Sequence, residues 1–246
     1  MKVALFVPCY IDQFYPQVAV ASLHLLRKLG VQAEFPPRQT CCGQPMANSG
    51  CEHEAGPVYR HFVDVFQDYD YVVGPAGSCV YHVRQHFDTI AQTPAVQHVR
   101  TTTLELFEFI TNVLKVKELP GRYPHRVGLH LSCHAQRGLH QATESELTPA
   151  RDGVLRRLLL GLDGLHLTDL ARNDECCGFG GTFCVSEAGI SARMGQDRVA
   201  DHLAHGTQVL TGGDMSCLMH LEGIVRRRQL PLRVLHAAEL FNEAIA

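Results

Sequence analysis

Cysteine is the residue type whose spacing in this chain most clearly indicates chemistry. The chain has ten cysteines, and eight of them follow a pattern that occurs once in each half, Cys … Cys-Cys-Gly … Ser-Cys-x-x-His. The residues of the pattern are Cys9, Cys41, Cys42, Cys79 and His82 in the first half, and Cys133, Cys176, Cys177, Cys217 and His220 in the second. A pattern that repeats in this way indicates an internal duplication with two equivalent sites.

Four thiolates and one further ligand in each half predict two metal sites. Two adjacent cysteines bind a single tetrahedral ion only with strain, but they can bind separate irons of one cluster, which favours iron–sulfur over zinc. His82 and His220 are candidate fifth ligands, and the alternative is that each hydrogen-bonds to a thiolate or a carbonyl. A zinc-stabilised binding or scaffold protein without redox chemistry and a thiol-disulfide enzyme remain as alternative functions.

The cysteines and histidines outside the pattern are expected to be structural. Cys51 and Cys184 are predicted to be free buried thiols, with a role as replacement ligands as the alternative, because both lie near the Cys-Cys-Gly turns. His130 and His134 flank Cys133 and are predicted to be histidines with satisfied hydrogen bonds.

The elements that must position these residues alternate between strands and helices. Apolar runs of strand length end just before Cys9, Cys79, Cys133 and Cys217, and Ser78 and Ser216 are predicted to cap the helices that follow the second and fourth of these strands. Further strands are predicted at 31–35 and 165–170, before the Cys-Cys-Gly turns. Helical periodicity covers 18–29, 57–66, 103–113, 153–160, 191–205, 218–228 and 237–245.

This alternation predicts a mostly parallel sheet in each half, with ligands at the carboxyl ends of the strands. We therefore expect two pseudo-equivalent, Rossmann-like α/β domains, residues 1–118 and 119–246. They are joined near 115–126, which contains two prolines and a glycine, and the two sites lie near the mutual interface of the domains.

Composition excludes several classes of protein. With 22 Lys+Arg against 25 Asp+Glu, the chain has no basic surface typical of nucleic-acid binding. The apolar start, 1–8, is predicted to be a buried strand and not a signal peptide, and no apolar run is long enough for a membrane span. We therefore expect a soluble, cytoplasmic protein. No strand leads into a G-x-G-x-x-G fingerprint, so we expect no nicotinamide or flavin bound by this chain.

The motifs as a group resemble those of the cysteine-rich (CCG) domain family, which includes the cysteine-rich subunit of heterodisulfide reductase, glycolate oxidase iron–sulfur subunits and lactate-utilisation proteins. The second half carries the most specific motifs, at 133–138, 175–183, 191–194 and 216–220, and the first half matches at 41–45 and 48–50. The likeness is strongest to lactate-utilisation A proteins and covers essentially the whole chain.

This resemblance implies an iron–sulfur electron-transfer component that works with other iron–sulfur or flavin subunits in oxidising L-lactate to pyruvate, or glycolate in the related system. Because the sequence has no nicotinamide or flavin fingerprint, we also expect that the chain does not turn over substrate alone. In the heterodisulfide reductase relatives the third motif is Cys-x-x-Cys and the cluster is a non-cubane [4Fe–4S]. Here the motif is Cys-x-x-His in both halves. A conventional four-thiolate [4Fe–4S] cluster and zinc in one or both sites therefore stay open.

Overall fold

The computed structural model describes residues 1–142 and 153–245. Within these residues the chain forms two four-stranded sheets in which every strand pairing is parallel. The strands of the first sheet are β1 (Val3–Leu5), β2 (Ala33–Glu34), β3 (Tyr71–Gly74) and β4 (Thr103–Glu105). Those of the second are β5 (Arg126–Leu129), β6 (His166–Leu167), β7 (Val209–Gly212) and β8 (Arg233–His236).

Helices connect these strands on both faces of the sheets. In the first half they are α1 (Cys9–Phe14), α2 (Pro16–Lys28), α3 (Gln44–Asn48), α4 (Gly56–Phe66), α5 (Gly77–His86), α6 (Pro94–Thr102) and α7 (Leu106–Asn112). In the second half they are α8 (Val154–Leu160), α9 (Phe183–Ser186), α10 (Ala188–Ala204), α11 (Met215–Arg227) and α12 (Ala237–Ala244). One turn of π-helix, His134–Gly138, follows Cys133.

The two sheets have the same strand order. The first is β2-β1-β3-β4 and the second is β6-β5-β7-β8. In each sheet the chain leaves the first strand toward one edge and the third strand toward the other, so a crevice opens at the carboxyl ends of this central pair. The prediction of two similar α/β halves with mostly parallel sheets is confirmed.

Sequence periodicity missed the last strand of each sheet. We predicted one helix over 103–113, whereas the chain forms β4 and then α7, and β8 was not predicted at all. The predicted strands at 31–35 and 165–170 are reduced to two residues each, β2 and β6. These short strands pair with only one neighbour, and period-2 patterning cannot be read over two or three residues.

The last helix of each half packs against the other half. α12 lies on α2, and α7 lies against α8. One hydrophobic core therefore runs through both halves, from Leu25 in α2 to Leu210 in β7 and Phe241 in α12. This shared core holds the two sheets in one fixed arrangement.

The first half has a second, separate core that is rich in aromatic residues. Phe6 contacts Phe62 and Phe66 edge-on, with ring centroids 4.9 and 5.9 Å away. Tyr59 stacks on Phe87 at 4.4 Å. This aromatic core lies directly behind the cysteine loops of the first half.

Candidate functional site

The eight repeat cysteines line a single cavity of about 440 Å³ between the two halves. Each half contributes three loops that follow, or lie close to, the carboxyl ends of its strands. The cysteines are Cys9, Cys41, Cys42 and Cys79 from the first half and Cys133, Cys176, Cys177 and Cys217 from the second. Equivalent cysteines of the two halves, which lie 124 to 138 residues apart in the sequence, therefore open onto one shared space.

The first group of thiols is in mutual contact. The sulfur atoms of Cys9 and Cys41 are 3.6 Å apart, and the backbone N–H of Gly43 donates to Cys41 Sγ at 3.4 Å. Hydrogen bonds from Cys42, from Cys9 and from Gly43 lower the pKa of Cys41 to about 3. One thiolate surrounded by thiol donors is an arrangement suited to binding a metal.

The second group repeats this arrangement. Hydrogen bonds from Cys133 and Cys177 lower the pKa of Cys176 to about 2, and the backbone N–H of Gly178 donates to its sulfur at 3.4 Å. One additional donor is present, because the backbone N–H of Phe179 bonds to Cys177 Sγ at 3.4 Å. All ten cysteines of the chain are free of disulfide bonds.

Glycine is required after each cysteine pair. Gly43 and Gly178 have φ values of 90° and 88°, a left-handed conformation that residues with a Cβ rarely adopt. A Cβ would lie 2.6 Å from a ring atom of Tyr59 at the first position and 2.7 Å from Cβ of Met194 at the second. The turn therefore brings the backbone close to the cysteines without a side chain in the way.

Cys79 and Cys217 lie in the first turns of α5 and α11. The prediction that Ser78 and Ser216 cap these helices is wrong. The capping positions are Ala76 and Asp214, which also pair through a short antiparallel bridge between the halves.

Asp214 supplies the cap for both helices. Its Oδ1 accepts from the backbone N–H of Ser216 at 3.1 Å, and its Oδ2 accepts from the backbone N–H of Ser78, in the other half, at 2.7 Å. Ala76, the matching residue of the first half, has no side chain that can cap. One buried carboxylate thus ties together the two helices that carry Cys79 and Cys217.

The two histidines of the repeat lie behind the cysteines and do not line the cavity among the residues described. Nε2 of His82 is 3.0 Å from the hydroxyl of Tyr59, and burial lowers the pKa of His82 to about 3. Nε2 of His220 donates to the backbone carbonyl of Ser191 at 3.2 Å. Ligation by either histidine stays a prediction.

His130 is the residue whose position the sequence did not reveal. One of its ring nitrogens lies within 4.8 Å of the sulfur atoms of both Cys177 and Cys217. Contrary to the prediction of a fully hydrogen-bonded histidine, its Nε2 is buried without a hydrogen-bond partner among the described residues. Burial and the adjacent Arg198 cation hold the pKa of His130 well below its usual value. The only signal in the sequence was its position, three residues before Cys133.

The two cysteines outside the repeat do not line the cavity formed by the described residues. Cys51 is exposed, contrary to the prediction of a buried thiol. Cys184 is half-buried, and its thiol donates to the backbone carbonyl of Gly181 at 3.0 Å. Substitution of Cys51 or Cys184 is therefore a control for substitution of a cavity cysteine, because it leaves the cavity lining unchanged.

Within the described residues, no helix is both long and apolar enough to cross a membrane.

The model of the cysteine-rich domain (CCG) matches the chain twice, at residues 3–84 and 127–222. The lactate utilization protein A of an Exiguobacterium species is 38% identical over 99% of this chain and 98% of its own length. That of Bacillus subtilis is 37% identical over 98% of this chain and 99% of its own length. A glutamate racemase from Bacillus anthracis covers 97% of this chain and 77% of its own, at 10% identity and a TM-score of 0.38, too low to support any argument.

Proposed function

The chain belongs to the cysteine-rich (CCG) domain family, and from that premise we propose that it is an iron–sulfur electron-transfer subunit of a system that oxidises L-lactate to pyruvate. The observation that carries this proposal is the convergence of eight cysteines, four from each half, on one cavity. Glycolate is the alternative substrate, in a complex organised in the same way.

The donor set fits an iron–sulfur cluster in each half. A cluster of this kind is held by four thiolates, and each half supplies four cysteines from three separate loops. Two neighbouring sulfurs, on Cys9 and Cys41, are already in contact at 3.6 Å. The proposed ligands are therefore Cys9, Cys41, Cys42 and Cys79 in the first site and Cys133, Cys176, Cys177 and Cys217 in the second.

When bound, clusters of this kind supply one-electron transfer. The residues of this chain provide a low-pKa thiolate in each group, Cys41 and Cys176, inside a cavity whose lining includes Gly180 and Gly181. The cavity contains no lysine or arginine side chain that would pair with a 2-hydroxy-acid carboxylate among the residues described. This lining is consistent with the proposal that lactate is oxidised on a partner subunit that binds a flavin or further clusters.

A zinc-stabilised scaffold is the second candidate. The observation that favours it is the group formed by His130, Cys177 and Cys217, whose possible ligand atoms lie within 4.8 Å of one another. Mixed cysteine and histidine ligands are typical of structural zinc sites. Such a protein would have no visible absorption from the metal.

Metal content separates these two candidates. Iron, acid-labile sulfide and zinc are measured on protein purified without oxygen, together with the visible spectrum. We expect iron and sulfide in comparable amounts, half of each lost in Cys41→Ser and half in Cys176→Ser, since each variant disables one site. Cys51→Ser and Cys184→Ser are the matched controls and should retain the full content, because neither residue lines the cavity. Zinc without iron, even after anaerobic reconstitution, would exclude the electron-transfer proposal.

A further inference from the structure

His130 and Phe6 occupy the same position in the two halves. Each lies three residues before the first cysteine of its group. The backbone N–H of Phe6 donates to the carbonyl of Val73 at 2.9 Å, and that of His130 donates to the carbonyl of Thr211, the matching residue of β7, at 2.7 Å. The side chains behind the two cysteine groups therefore differ at one equivalent point, a phenyl ring against an imidazole.

Arg198 fixes the tautomer of His130. Its Nε–H donates to Nδ1 of His130 at 3.2 Å, and an arginine side chain can donate but cannot accept. The lone pair of Nδ1 is thereby used, so the proton of the neutral ring resides on Nε2.

The guanidinium itself has little freedom to move. It is fully buried and donates to the carboxylate of Asp201 at 3.4 Å and to the backbone carbonyls of Arg172, Leu129 and Asn173. Since these partners surround Arg198, the orientation of the His130 ring is fixed from behind.

The Nε2–H of His130 lacks the acceptor that a buried donor requires. His130 is only 2% exposed, and its Nε2 has no hydrogen-bond partner among the described residues. A ring nitrogen lies within 4.8 Å of the sulfurs of Cys177 and Cys217. The ring thus lies beside these two cysteines, and negatively charged sulfur is an acceptor of the kind that its N–H requires.

We propose that His130 donates a hydrogen bond from Nε2 to a sulfur atom of the second site, either a cysteine thiolate or a bridging sulfide, and is not a metal ligand. This inference rests on the proposed iron–sulfur function. A ligating His130 would need a lone pair on Nε2 while Nδ1 accepts from Arg198, which is the anionic form of the ring. As a donor, it is a positioning and tuning residue of the second site.

The consequence is a difference in reduction potential between the two sites. Hydrogen bonds to cluster sulfurs stabilise the reduced, more negative state and raise the potential. The second site has the His130 donor and the Phe179 N–H donor, whereas Phe6 offers none. With a cluster in each site, the second would therefore be the more easily reduced of the two.

The test is a redox titration of the full-length protein, monitored by electron paramagnetic resonance, after iron and sulfide have been measured. We expect His130→Leu to lower the equilibrium constant for reduction of the second site about tenfold, about 59 mV for a one-electron couple. His130→Gln, which keeps an N–H donor, should restore most of this shift. Phe6→Leu is the matched control and should leave the second site unchanged.

A second measurement isolates the His130 nitrogen as the difference between the wild type and either His130→Leu or His130→Gln, so it does not depend on the folding of one variant. Pulsed resonance on protein labelled with ¹⁵N-histidine should show a weakly coupled nitrogen that is present in the wild type and missing from both variants; the exchangeable protons of the Gly178 and Phe179 N–H groups remain in all three proteins. If the missing nitrogen is strongly coupled, His130 is a ligand, and if no nitrogen signal is lost, His130 makes no contact; either result overturns the proposal. An unchanged potential in folded, iron-loaded His130→Leu overturns it as well, while the iron–sulfur function stands. Wild-type protein without iron and sulfide would overturn both.

Discussion

Behind the two cysteine groups, the equivalent sheet position carries Phe6 in the first half and His130 in the second. In the first half this residue belongs to a cluster of aromatic rings that includes Phe62 and Phe66. In the second half it belongs to a buried polar network with Arg198 and Asp201. The two halves share the strand order and the cysteines, whereas the side chains packed behind each site differ. The comparison shows that two sites with the same proposed ligands need not have the same electronic properties.

The largest effect on stability is expected from removing the buried positive charge of Arg198 in the second half. In Arg198→Met, Asp201 loses its buried arginine partner, the two side chains being 0% and 4% exposed, and keeps only the backbone N–H groups of Ala171 and Arg172 and the nearby His205 ring. We expect a loss of about 3–5 kcal/mol in the free energy of unfolding, measured with urea. Arg193→Met is the control, because its side chain is 75% exposed, and it should change stability by less than about 0.5 kcal/mol. Equal losses in the two variants would show that the polar network does not support the fold.

A smaller loss in the free energy of unfolding is expected from removing Asp214, the carboxylate of the second half that also caps a helix of the first half. Asp214→Ala removes the caps of α5 and α11 together, because Asp214 accepts from the backbone of both Ser78 and Ser216. We expect a loss of about 2–4 kcal/mol in the free energy of unfolding, as two hydrogen bonds to a charged acceptor disappear.

Thr93→Ala provides the matched measurement for a single cap. Thr93 caps only α6, through the backbone N–H of Val96, and its loss should cost about 1 kcal/mol. If Asp214→Ala cost no more than Thr93→Ala, the carboxylate would be stabilising only one of the two helices.

The effect that is smallest per pH unit concerns the pH dependence of stability, to which one residue of each half should contribute a slope of opposite sign. Glu105 and His236 are equivalent residues, and each caps the last helix of its half through a capping box. Burial raises the pKa of Glu105 to about 8 and lowers the pKa of His236 to about 4.

For Glu105, the unfolded chain loses its proton at lower pH than the folded protein, so stability falls as pH rises from about 4.5 to about 8. For His236, the unfolded chain gains its proton at higher pH, so stability falls as pH drops from about 6.5 to about 4. Each contributes at most about 1.4 kcal/mol per pH unit.

Urea unfolding between pH 4 and pH 8 tests both groups. The two contributions oppose each other between about pH 4.5 and 6.5, so the wild type should show a decline in stability mainly above pH 6.5. Glu105→Gln should remove this alkaline decline, and His236→Gln should extend it down to about pH 4.5. If Glu105→Gln left the alkaline slope unchanged, the carboxyl of Glu105 would be ionised in the folded protein.

Local sequence determined much of this protein. The cysteine repeat predicted the duplication, and the strands that end near Cys9, Cys79, Cys133 and Cys217 were predicted because apolar runs are read directly from the chain. The left-handed turns at Gly43 and Gly178 could also be predicted from the sequence, since glycine is the residue that adopts this conformation without strain.

Tertiary structure decided the rest. Ser78 and Ser216 were plausible caps by type, but Asp214 caps both helices because the pseudo-symmetric packing brings it against the other half. The packing of α7 and α12, each against a helix of the opposite half, forms the shared core and has no signature in local periodicity. His130 came to face Cys177 and Cys217 because β5 and β7 are neighbours in the sheet. Each of these features depends on contacts between residues far apart in the chain, which local patterns of polarity cannot encode.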